Sequence, residues 1–554
     1  MIGVIADAAD QDVVREFFEL FKTPWEFCRK NQRYDVLLCA GGDVPLGASA
    51  KLTLWYAGRK NRFDDKNEIH VGDQRSHAST LMYLGQRIPI YGETITFAEE
   101  SRGLLRDESS NACVIYVDKN SEGVFVRIGY SLLSEIRQLL VQGQPSSNAA
   151  IPTLELHIAL LRDLITNYGV PLIEIPPVPE GYRFIACLTH DVDHPFIRHH
   201  RWDHTVFGFL YRAAFVSLWK FFQGQMPIGD VLRNWAAITK LPFVYLGFAK
   251  DFWREFSDRY LQIEKGIHST FFIIPFRDCS GKTSAGLAPS FRAARYEAKD
   301  LINTIQKLVD AGCEVGLHGI DAWLDPSEGK KELEEIRRLT GVKEIGVRMH
   351  WLYFNKKSPI VLEEAGAAYD STIGYNETVG YRTGTTQVYK PLDVSRILEL
   401  PMHIMDTALF YPDHLGLSAE GARALFDCLA ENAVKFGGCL SINWHDRSIA
   451  PERLWGACYR DFVDELKARG AWFATAGEAV SWFRRRRSVE FEKDPECPTS
   501  MRAKIPSNVS CELPGLRMRI HREQNVGESQ TCTPEAYVDV VITKGTESQS
   551  VVSQ

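Results

Sequence analysis

The sequence lacks paired cysteines, an excess of positive charge and a long uninterrupted apolar run, which are features of disulfide-rich, nucleic-acid-binding and membrane-spanning proteins. Its twelve cysteines are scattered and include no Cys-x-x-Cys pair, so we expect reduced, mostly buried thiols. Positive charge is not in excess, because 64 Lys and Arg against 71 Asp and Glu give a net charge of -7, and nucleic acid is not expected as the main partner. The most apolar long stretch, residues 205–222, is interrupted by Arg212 and Lys220, which predicts a buried or interfacial helix rather than a membrane span.

The first residues lack the pattern of a targeting signal. The segment MIGVIADAADQD has neither the basic start nor the apolar run of a secretory signal, so we expect a cytoplasmic protein. The composition, 45% hydrophobic and 24% charged, is typical of soluble globular proteins. A length of 554 residues predicts two or three domains.

The chain divides into four predicted regions. Residues 1–150 mix short apolar strands with helical stretches and predict a small α/β accessory domain. Residues 151–184 predict a helix followed by a Pro-rich connector. Residues 185–487 predict the main domain, with a mostly helical insertion at about 195–260, since that segment is too long for a simple connection. Residues 488–554 predict a small β appendage or a partly disordered segment.

The main domain alternates strands and helices. The apolar, β-rich segments are 184–188, 269–274, 314–317, 345–348, 396–400, 439–443 and 471–475. Helical stretches, among them 298–311, 331–339 and 422–436, lie between several of these segments. Such alternation is typical of parallel strands joined by crossover helices and indicates a β/α barrel.

Polar residues stand where four of these strands end. The four groups are His190-Asp191-Val192-Asp193-His194, Gly316-Leu317-His318-Gly319-Ile320-Asp321, Arg348-Met349-His350 and Asn443-Trp444-His445-Asp446. A barrel carries its chemistry at the C-terminal ends of its strands. One His or Asp at a strand end is usually a cap or a turn residue, but four such ends together predict a reaction centre.

The ordered set of motifs resembles the polysaccharide deacetylase (NodB-homology) family, related to the family-four carbohydrate esterases, and within it the subgroup whose first motif is His-Asp-Val-Asp. The matching stretches are LTHDVDH (188–194), STFFII (269–274), EVGLHG (314–319), VRMHWL (347–352), YDST (369–372), SINWH (441–445) and WFATA…WF (472–483). The resemblance implies a distorted (β/α)7 barrel. It also implies removal of an acyl group, usually acetyl, from an N-acyl sugar by a metal-activated water.

The resemblance further implies roles for five residues. Asp191 matches the general base, and Asp193 matches the metal-binding carboxylate. His318 matches a metal-binding histidine. Arg348 matches the arginine that orients the base, and His445 matches the histidine that protonates the leaving amine. The chemistry agrees, because residues i and i+2 of a strand share a face, so one carboxylate can bind metal while its neighbour takes a proton.

The sequence departs from the family in the second motif, where the usual second histidine is replaced by Ala322. The third metal ligand must then come from another position. The candidates, in order of preference, are His350, Asp321, His194 and His190. A core position that only supports the site is the alternative for His350. An Asp, His and His set favours zinc, although cobalt, nickel or iron would fit the same ligands.

Further side chains beside the motifs are candidates for stacking on, or hydrogen bonding to, a sugar ring. They are Asp321, Trp351, Tyr381, Arg382 and Trp444. Core packing is an equal alternative for the two tryptophans.

Three functions remain open at this point. The first is a metal-dependent N-deacetylase that acts on an N-acetylated sugar or glycan in polysaccharide or glycoconjugate biosynthesis. The second is a related C–N hydrolase that acts on a small non-sugar amide. The third is a catalytically silent carbohydrate-binding or assembly protein, which the missing histidine would explain. The presence of Asp191, Asp193, Arg348 and His445 together favours the enzymes, and the sequence predicts no oligomeric state.

Overall fold

The computed structural model describes nine stretches of the chain. They are residues 1–41, 45–98, 104–121, 123–224, 226–450, 452–493, 501–505, 513–522 and 537–542. Among the helices in these stretches, none combines the length and the apolar character that crossing a membrane requires.

The N-terminal region is built on a six-stranded sheet. Its elements are β1 (Ile2–Ile5), α1 (Gln11–Phe21), β2 (Trp25–Phe27), β3 (Arg33–Cys39), β4 (Ser49–Tyr56), α2 (Arg62–Lys66), β5 (Val71–Arg75), β6 (Ser79–Tyr83), β7 (Gln86–Ile90), β8 (Thr94–Phe97), β9 (Leu105–Asp107), β10 (Ile115–Asn120), β11 (Gly123–Ile128) and α3 (Leu132–Val141). The strand order is β10-β11-β4-β3-β1-β2, parallel except for the β10–β11 pair. This region therefore combines a mostly parallel sheet with helices.

The connector that follows belongs to the same core. Helix α4 (Thr153–Asn167) buries Leu154, Leu161 and Leu164 in the hydrophobic cluster that also holds the N-terminal sheet. The chain then forms β12 (Leu172–Glu174) before it enters the central sheet. The helix expected near residue 153 thus extends the N-terminal core.

The central region is a parallel sheet of seven strands that curls into a half-barrel. Its strands, with one small hairpin, are β13 (Phe184–Val192), β14 (Thr270–Ile273), hairpin strands β15 (Lys282–Thr283) and β16 (Gly286–Leu287), β17 (Glu314–Gly319), β18 (Val347–Met349), β19 (Ile404–Met405), β20 (Cys439–Asn443) and β21 (Ala471–Ala474). The order is β18-β17-β14-β13-β20-β19, and β21 also pairs with β13. All nine residues of β13 are buried, as expected for a central strand covered on both faces.

The expected (β/α)7 barrel is present only in part, because the sheet is irregular between β18 and β19. Isolated parallel bridges join Val347 to Asp370 and Asp370 to Glu399. The strand expected at 396–400 is not formed. The carboxylate of Glu363 instead accepts hydrogen bonds from the backbone N–H groups at positions 395–397, so those groups are not available for a ladder.

Helices cover the sheet and fill the long insertion. They are α5 (His204–Tyr211), α6 (Ser217–Phe222), α7 (Ile228–Tyr245), α8 (Phe256–Ile263), α9 (Ile302–Asp310), α10 (Pro326–Thr340), α11 (Ser358–Ala365), α12 (Asp406–Phe410), α13 (Ala419–Phe436), α14 (Gly456–Ala468) and α15 (Ala476–Arg487). A π-helical turn, Arg212–Val216, joins α5 to α6. The insertion expected at about 195–260 is accordingly helical, with its own small core around Phe209 and Trp253.

The last part of the chain adds four strands. They are β22 (Glu490–Lys493), β23 (Met501–Lys504), β24 (Leu516–His521) and β25 (Tyr537–Ile542). Strand β24 pairs with both β12 and β25, so this segment closes back on the connector. The remainder of the predicted β or partly disordered segment lies outside the described residues.

Candidate metal centre

The C-terminal edge of the half-barrel collects the polar residues that the sequence places at strand ends. Asp191 lies in β13, and Asp193 follows that strand directly. His318 lies in β17, while His350 and His445 come directly after β18 and close after β20. Because these strands are parallel members of one sheet, their ends lie at the same edge.

Asp193, His318 and His350 form a compact cluster. Asp193 Oδ1 lies 3.2 Å from His318 Nε2 and 3.3 Å from His350 Nδ1. The two histidine nitrogens are 3.1 Å apart. One donor atom from each residue lies within 4.8 Å of the others, an arrangement that can hold a metal ion. Of the four candidates for a third ligand, His350 is the one that shares this cluster.

Hydrogen bonds on the far side of each ring determine which nitrogen faces the cluster. His318 Nδ1 lies 3.0 Å from the backbone carbonyl oxygen of Arg348, and His350 Nε2 lies 3.0 Å from that of Arg292. A carbonyl oxygen only accepts, so these two nitrogens carry the protons. In a neutral ring the other nitrogen is unprotonated, and in both rings it points at Asp193.

The cluster fits a cation at its centre. Asp193 Oδ1 is buried and receives no hydrogen bond, although two ring nitrogens lie near it. Three electron-pair donors held this close repel one another unless a positive charge lies among them. Their spacings of 3.1, 3.2 and 3.3 Å agree with the separation of about 3.3 Å between ligands of a tetrahedral ion with bonds of about 2.0 Å.

Asp191 lies beside the cluster but is held by different partners. Arg348 donates from Nη1 to Asp191 Oδ1 at 3.2 Å, and Asn443 donates from Nδ2 to Asp191 Oδ2 at 2.8 Å. Arg348 is fully buried, and it also donates to the backbone oxygen and the hydroxyl of Ser371. Asp191 Oδ2 lies 3.9 Å from His318 Nε2. The carboxylate is therefore fixed next to the cluster without being part of it.

His445 is paired with a buried carboxylate, Asp406. Its Nδ1 lies 2.6 Å from Asp406 Oδ1, and its backbone N–H donates to Asp406 Oδ2 at 2.7 Å. The second ring nitrogen, Nε2, lies 3.8 Å from Asp193 Oδ2. Burial lowers the pKa of His445, but the negative charges of Asp406, Asp193 and Asp191 raise this pKa to about 10. The carboxylates around His445 thus favour its protonated form, and its Nε2 is directed at the cluster.

The other candidate ligands lie elsewhere. His190 uses both ring nitrogens, one against a backbone carbonyl and one against Glu264 at 2.9 Å, so it has no nitrogen left for a metal. Asp321 Oδ1 accepts a hydrogen bond from the backbone N–H of Lys282 at 2.8 Å. His194 lies on the wall of the cavity and contacts a neighbouring histidine at 3.3 Å.

The cluster opens into a cavity of about 1580 Å³. Its walls include Asp191, Asp193, His318, His350 and His445. Trp351 also lines the cavity, with a φ of 62° that an L residue rarely adopts. This predicted sugar contact is therefore placed where it could stack on a ligand. Further parts of the wall come from the helical insertion, from the segment 291–294 and from the segments after β18, β19 and β20.

The other four predicted substrate contacts do not line this cavity. Trp444 is fully buried among three aromatic rings, because it points away from the face that its neighbours Asn443 and His445 share. Tyr381 is also fully buried, and its hydroxyl donates to a backbone oxygen. Arg382 donates to the backbone oxygen of Gly374, and the bond of Asp321 is described above. These side chains serve the packing around the site.

Sequence reasoning missed Asp406, which completes the pair with His445. Asp406 directly follows the apolar residues Ile404 and Met405, which form a strand in the structure. A strand of two residues is too short to show the alternation of apolar and polar residues that identifies strands in a sequence. Sequence reasoning also missed Arg292, whose backbone oxygen orients His350, and a backbone contact of this kind leaves no trace in residue type.

The identity of the third ligand can be tested directly. We expect His350→Ala to weaken metal binding by roughly 100-fold or more, whereas Asp321→Ala keeps the metal. The metal content per chain after dialysis, with thermal unfolding as a check on folding, distinguishes the two variants. Loss of metal in Asp321→Ala with retention in His350→Ala would reverse the assignment.

Comparison with known proteins gives similarity at the level of structure. No family model matches the chain, and no curated protein matches it. Among solved structures, it is similar to a protein from Mycobacterium smegmatis described as a polysaccharide deacetylase, with 20% identity over 56% of this chain and 95% of that chain and a TM-score of 0.34. It is also similar to a polysaccharide deacetylase from Bacillus cereus, with 14% identity over 53% and 91% and a TM-score of 0.25.

A third similar structure is a CE4 family pseudoenzyme from Bacillus anthracis, with 15% identity over 41% of this chain and 60% of that chain and a TM-score of 0.23. A protein described as a pseudoenzyme thus occurs among the similar structures beside proteins described as polysaccharide deacetylases.

Proposed function

We propose that the protein is a metal-dependent hydrolase that removes an acetyl group from an N-acetylated sugar in polysaccharide or glycoconjugate biosynthesis. The observation that carries this proposal is the convergence on one cavity of a three-residue cluster that can hold a metal, a held carboxylate and a histidine paired with a buried carboxylate. Amide hydrolysis needs a nucleophile, stabilisation of the oxyanion and a proton for the leaving amine. A bound metal with Asp191 would supply the first two requirements, and His445 would supply the proton.

Asp193, His318 and His350 would hold the metal, and zinc is the ion that we propose for these donors. When bound, such an ion supplies an activated water and polarises the acyl oxygen. Asp191 takes the proton of the attacking water, because Arg348 and Asn443 hold its carboxylate beside the cluster. The silent-protein alternative was motivated by the missing histidine, and His350 supplies a third donor in its place.

His445 protonates the departing nitrogen. Its Nδ1 is engaged by Asp406, so Nε2 is the atom that faces the cluster and the cavity. Asp406 is a positioning residue, since it holds the ring in this orientation and favours its charged form. The cavity volume of about 1580 Å³ suits a substrate larger than a single small amide.

The positioning role of Asp406 gives a prediction of its own. We expect Asp406→Asn to lower kcat by roughly 10- to 100-fold with little change in KM, because His445 loses its charged partner while the cavity keeps its shape. Steady-state kinetics measure both constants. The exposed Asp464→Asn serves as the matched control and should not change kcat. A rise in KM alone would contradict the positioning role.

A substrate screen tests the function itself. We expect the metal-loaded protein to release acetate from N-acetylated sugars, and chelation followed by return of the metal to abolish and restore this release. Release of ammonia or ring opening from small amides, with no acetate from any N-acetyl sugar, would favour the alternative C–N hydrolase. A protein that is active without metal would exclude the proposed mechanism.

A further inference from the structure

The cavity carries a group of cations that the proposed hydrolysis does not use. Arg212 of the insertion, with Arg447 and Arg453 of the loop after β20, forms what we call the arginine cluster. Arg453 is buried, and the other two are half-buried. Within the described residues, no carboxylate lies within the 4.0 Å ion-pair distance of any of the three guanidinium groups.

The arginine cluster has no ion-paired carboxylate among the described residues, and only more distant negative charges act on it. Burial lowers the pKa of Arg447, but Tyr411, Asp193, Asp446 and Asp406 outweigh it and raise this pKa. Burial and the charges of Arg453 and Arg447 lower the pKa of Arg212 to about 9. Burial raises the pKa of Tyr411, but Arg447 and Arg453 outweigh it and lower this pKa to about 8. Arg447 Nη2 donates to the Tyr411 hydroxyl at 2.8 Å, and Arg453 Nε is buried without a hydrogen-bond partner.

Two carboxylates whose charges act on the arginine cluster, Glu452 and Asp446, are engaged with other groups. Glu452 Oε1 accepts a hydrogen bond from the indole N–H of Trp253 at 2.6 Å. Asp446 accepts from the backbone N–H groups of His194 and Arg447 at 2.8 and 2.7 Å. Three guanidinium groups thus line a cavity wall with donors available for a ligand.

We propose that the arginine cluster is an anion subsite that binds a phosphate or diphosphate group carried by the sugar substrate. The planar guanidinium group matches phosphate oxygens with paired donors, and three of them can neutralise a dianion. The cluster and the metal centre line the same cavity, so one ligand can reach both. The link to the sugar rests on the proposed function, whereas phosphate binding by itself does not.

Inorganic phosphate is the probe for this subsite. By calorimetry on the metal-loaded protein, we expect saturable binding that Arg212→Met and Arg453→Met each weaken roughly tenfold or more. His318→Ala, which is expected to carry no metal, should still bind phosphate, because it leaves the arginine cluster intact. Binding that is lost in His318→Ala and kept in both arginine variants would overturn the proposal. If Arg453→Met does not fold, phosphate binding by Arg212→Met decides the test, because Arg212 is half-buried in the π-helical turn of the insertion.

Activity and competition extend the test to the source of the phosphate. N-acetylglucosamine 1-phosphate should show a KM roughly tenfold below that of N-acetylglucosamine, and Arg212→Met should remove this preference. Competition by uridine diphosphate would indicate a nucleotide carrier, and competition by dodecyl phosphate a lipid carrier. Equal KM values for the two sugars would overturn the subsite as a substrate contact. Phosphate binding without any deacetylation would overturn only the proposed function.

The outer surface of the insertion exposes many large apolar side chains. The stretch from α5 through α6 exposes one aromatic stripe, and α7 exposes a second apolar stripe. The exposed side chains are Phe207, Tyr211, Phe215, Trp219, Phe222, Ile228, Leu232, Trp235 and Phe243, each 46% to 79% exposed. Most neighbours within a stripe are three or four residues apart, which places them on one face of a helix, while Phe209 and Leu241 are buried on the opposite faces.

The segment that carries these stripes has an excess of positive charge. Residues 201–250 contain six Lys and Arg but two Asp, in a chain whose net charge is -7. Arg212 and Lys220 line the cavity, and the other four cations, Arg201, Arg233, Lys240 and Lys250, are exposed. A segment with exposed aromatic side chains and exposed cations matches the interface of an anionic membrane. A second copy of the chain would bring two positive faces together, which like-charge repulsion disfavours.

We infer that this insertion face docks the protein on the surface of an anionic membrane. The helices lie along the surface, with the aromatic side chains at the level of the lipid headgroups. Tyr211 belongs to the stripe and also lines the cavity, so the cavity lies next to the docked face. This placement would present the metal centre to a substrate held at the membrane.

Vesicle flotation tests the docking. We expect binding to phosphatidylglycerol vesicles, weaker binding to phosphatidylcholine vesicles, and a loss of roughly tenfold or more in the triple variant Phe215→Ser, Trp219→Ser, Phe222→Ser. The double variant Leu84→Ser, Leu287→Ser removes exposed apolar side chains elsewhere and should bind normally. Absence of vesicle binding, or a dimer that only the triple variant dissociates, would overturn the inference. None of these measurements depends on turnover.

Discussion

His318→Ala is expected to remove the bound divalent metal and to lower turnover on the order of 1000-fold or more. Nε2 of this ring lies 3.2 Å from the Asp193 carboxylate and 3.1 Å from His350 Nδ1, at the centre of the donor set. Without it, two protein donors remain, too few for the three-residue set that catalytic zinc sites retain. Metal content by mass spectrometry and kcat on an N-acetylated sugar measure the two effects.

The control for this variant is His268→Ala, which removes an exposed histidine ahead of β14. It should keep both metal and turnover, and thermal unfolding of both variants shows whether either substitution damages the fold. A metal-free His318→Ala protein with normal turnover would contradict the proposed mechanism.

Asp191→Asn is expected to keep the metal and to lose roughly 100- to 10,000-fold in kcat. Asparagine has the size of aspartate and keeps an oxygen for Arg348 or Asn443, so the local packing survives. It cannot accept the proton of the attacking water, because an amide is not a base at neutral pH. The separation of metal content from kcat distinguishes this variant from His318→Ala.

Asp321→Asn is the matched control, an acidic residue just after a neighbouring strand that does not line the cavity. It should leave kcat within about twofold of the starting value, since surface changes of this kind cost little. Retained activity in Asp191→Asn would exclude Asp191 as the base, while the metal assignment would remain intact.

Much of the candidate site follows from residues at strand ends. The central strand β13 is a long apolar run followed by acidic residues, so its position and its edge could be predicted. His318 and Arg348 follow by the same reasoning, since each stands at the end of a recognisable β-rich segment. The sequence favoured His350 over Asp321 but left both open, because the orientation of the His350 ring depends on the backbone carbonyl of Arg292.

In the irregular part of the half-barrel, the sequence could not predict which side chains face the cavity. Between β18 and β19 the chain is joined by single bridges, and such segments have no period that tells an inward side chain from an outward one. Tyr381 and Arg382 fall in this part, and the sequence therefore placed them at the cavity, whereas the structure places them in the packing around it. Asp406 was missed for the same reason.

The metal donors come from three separate passages of the chain through the sheet, one after β13, one in β17 and one after β18. An ion bound to all three acts as a cross-link that only the folded chain can form. By thermodynamic linkage, a free metal concentration 1,000 times the Kd would add about 4 kcal/mol to the free energy of unfolding. Scarcity of metal would then lower the stability of the folded protein as well as stop the proposed chemistry, so metal supply would affect how much folded protein persists.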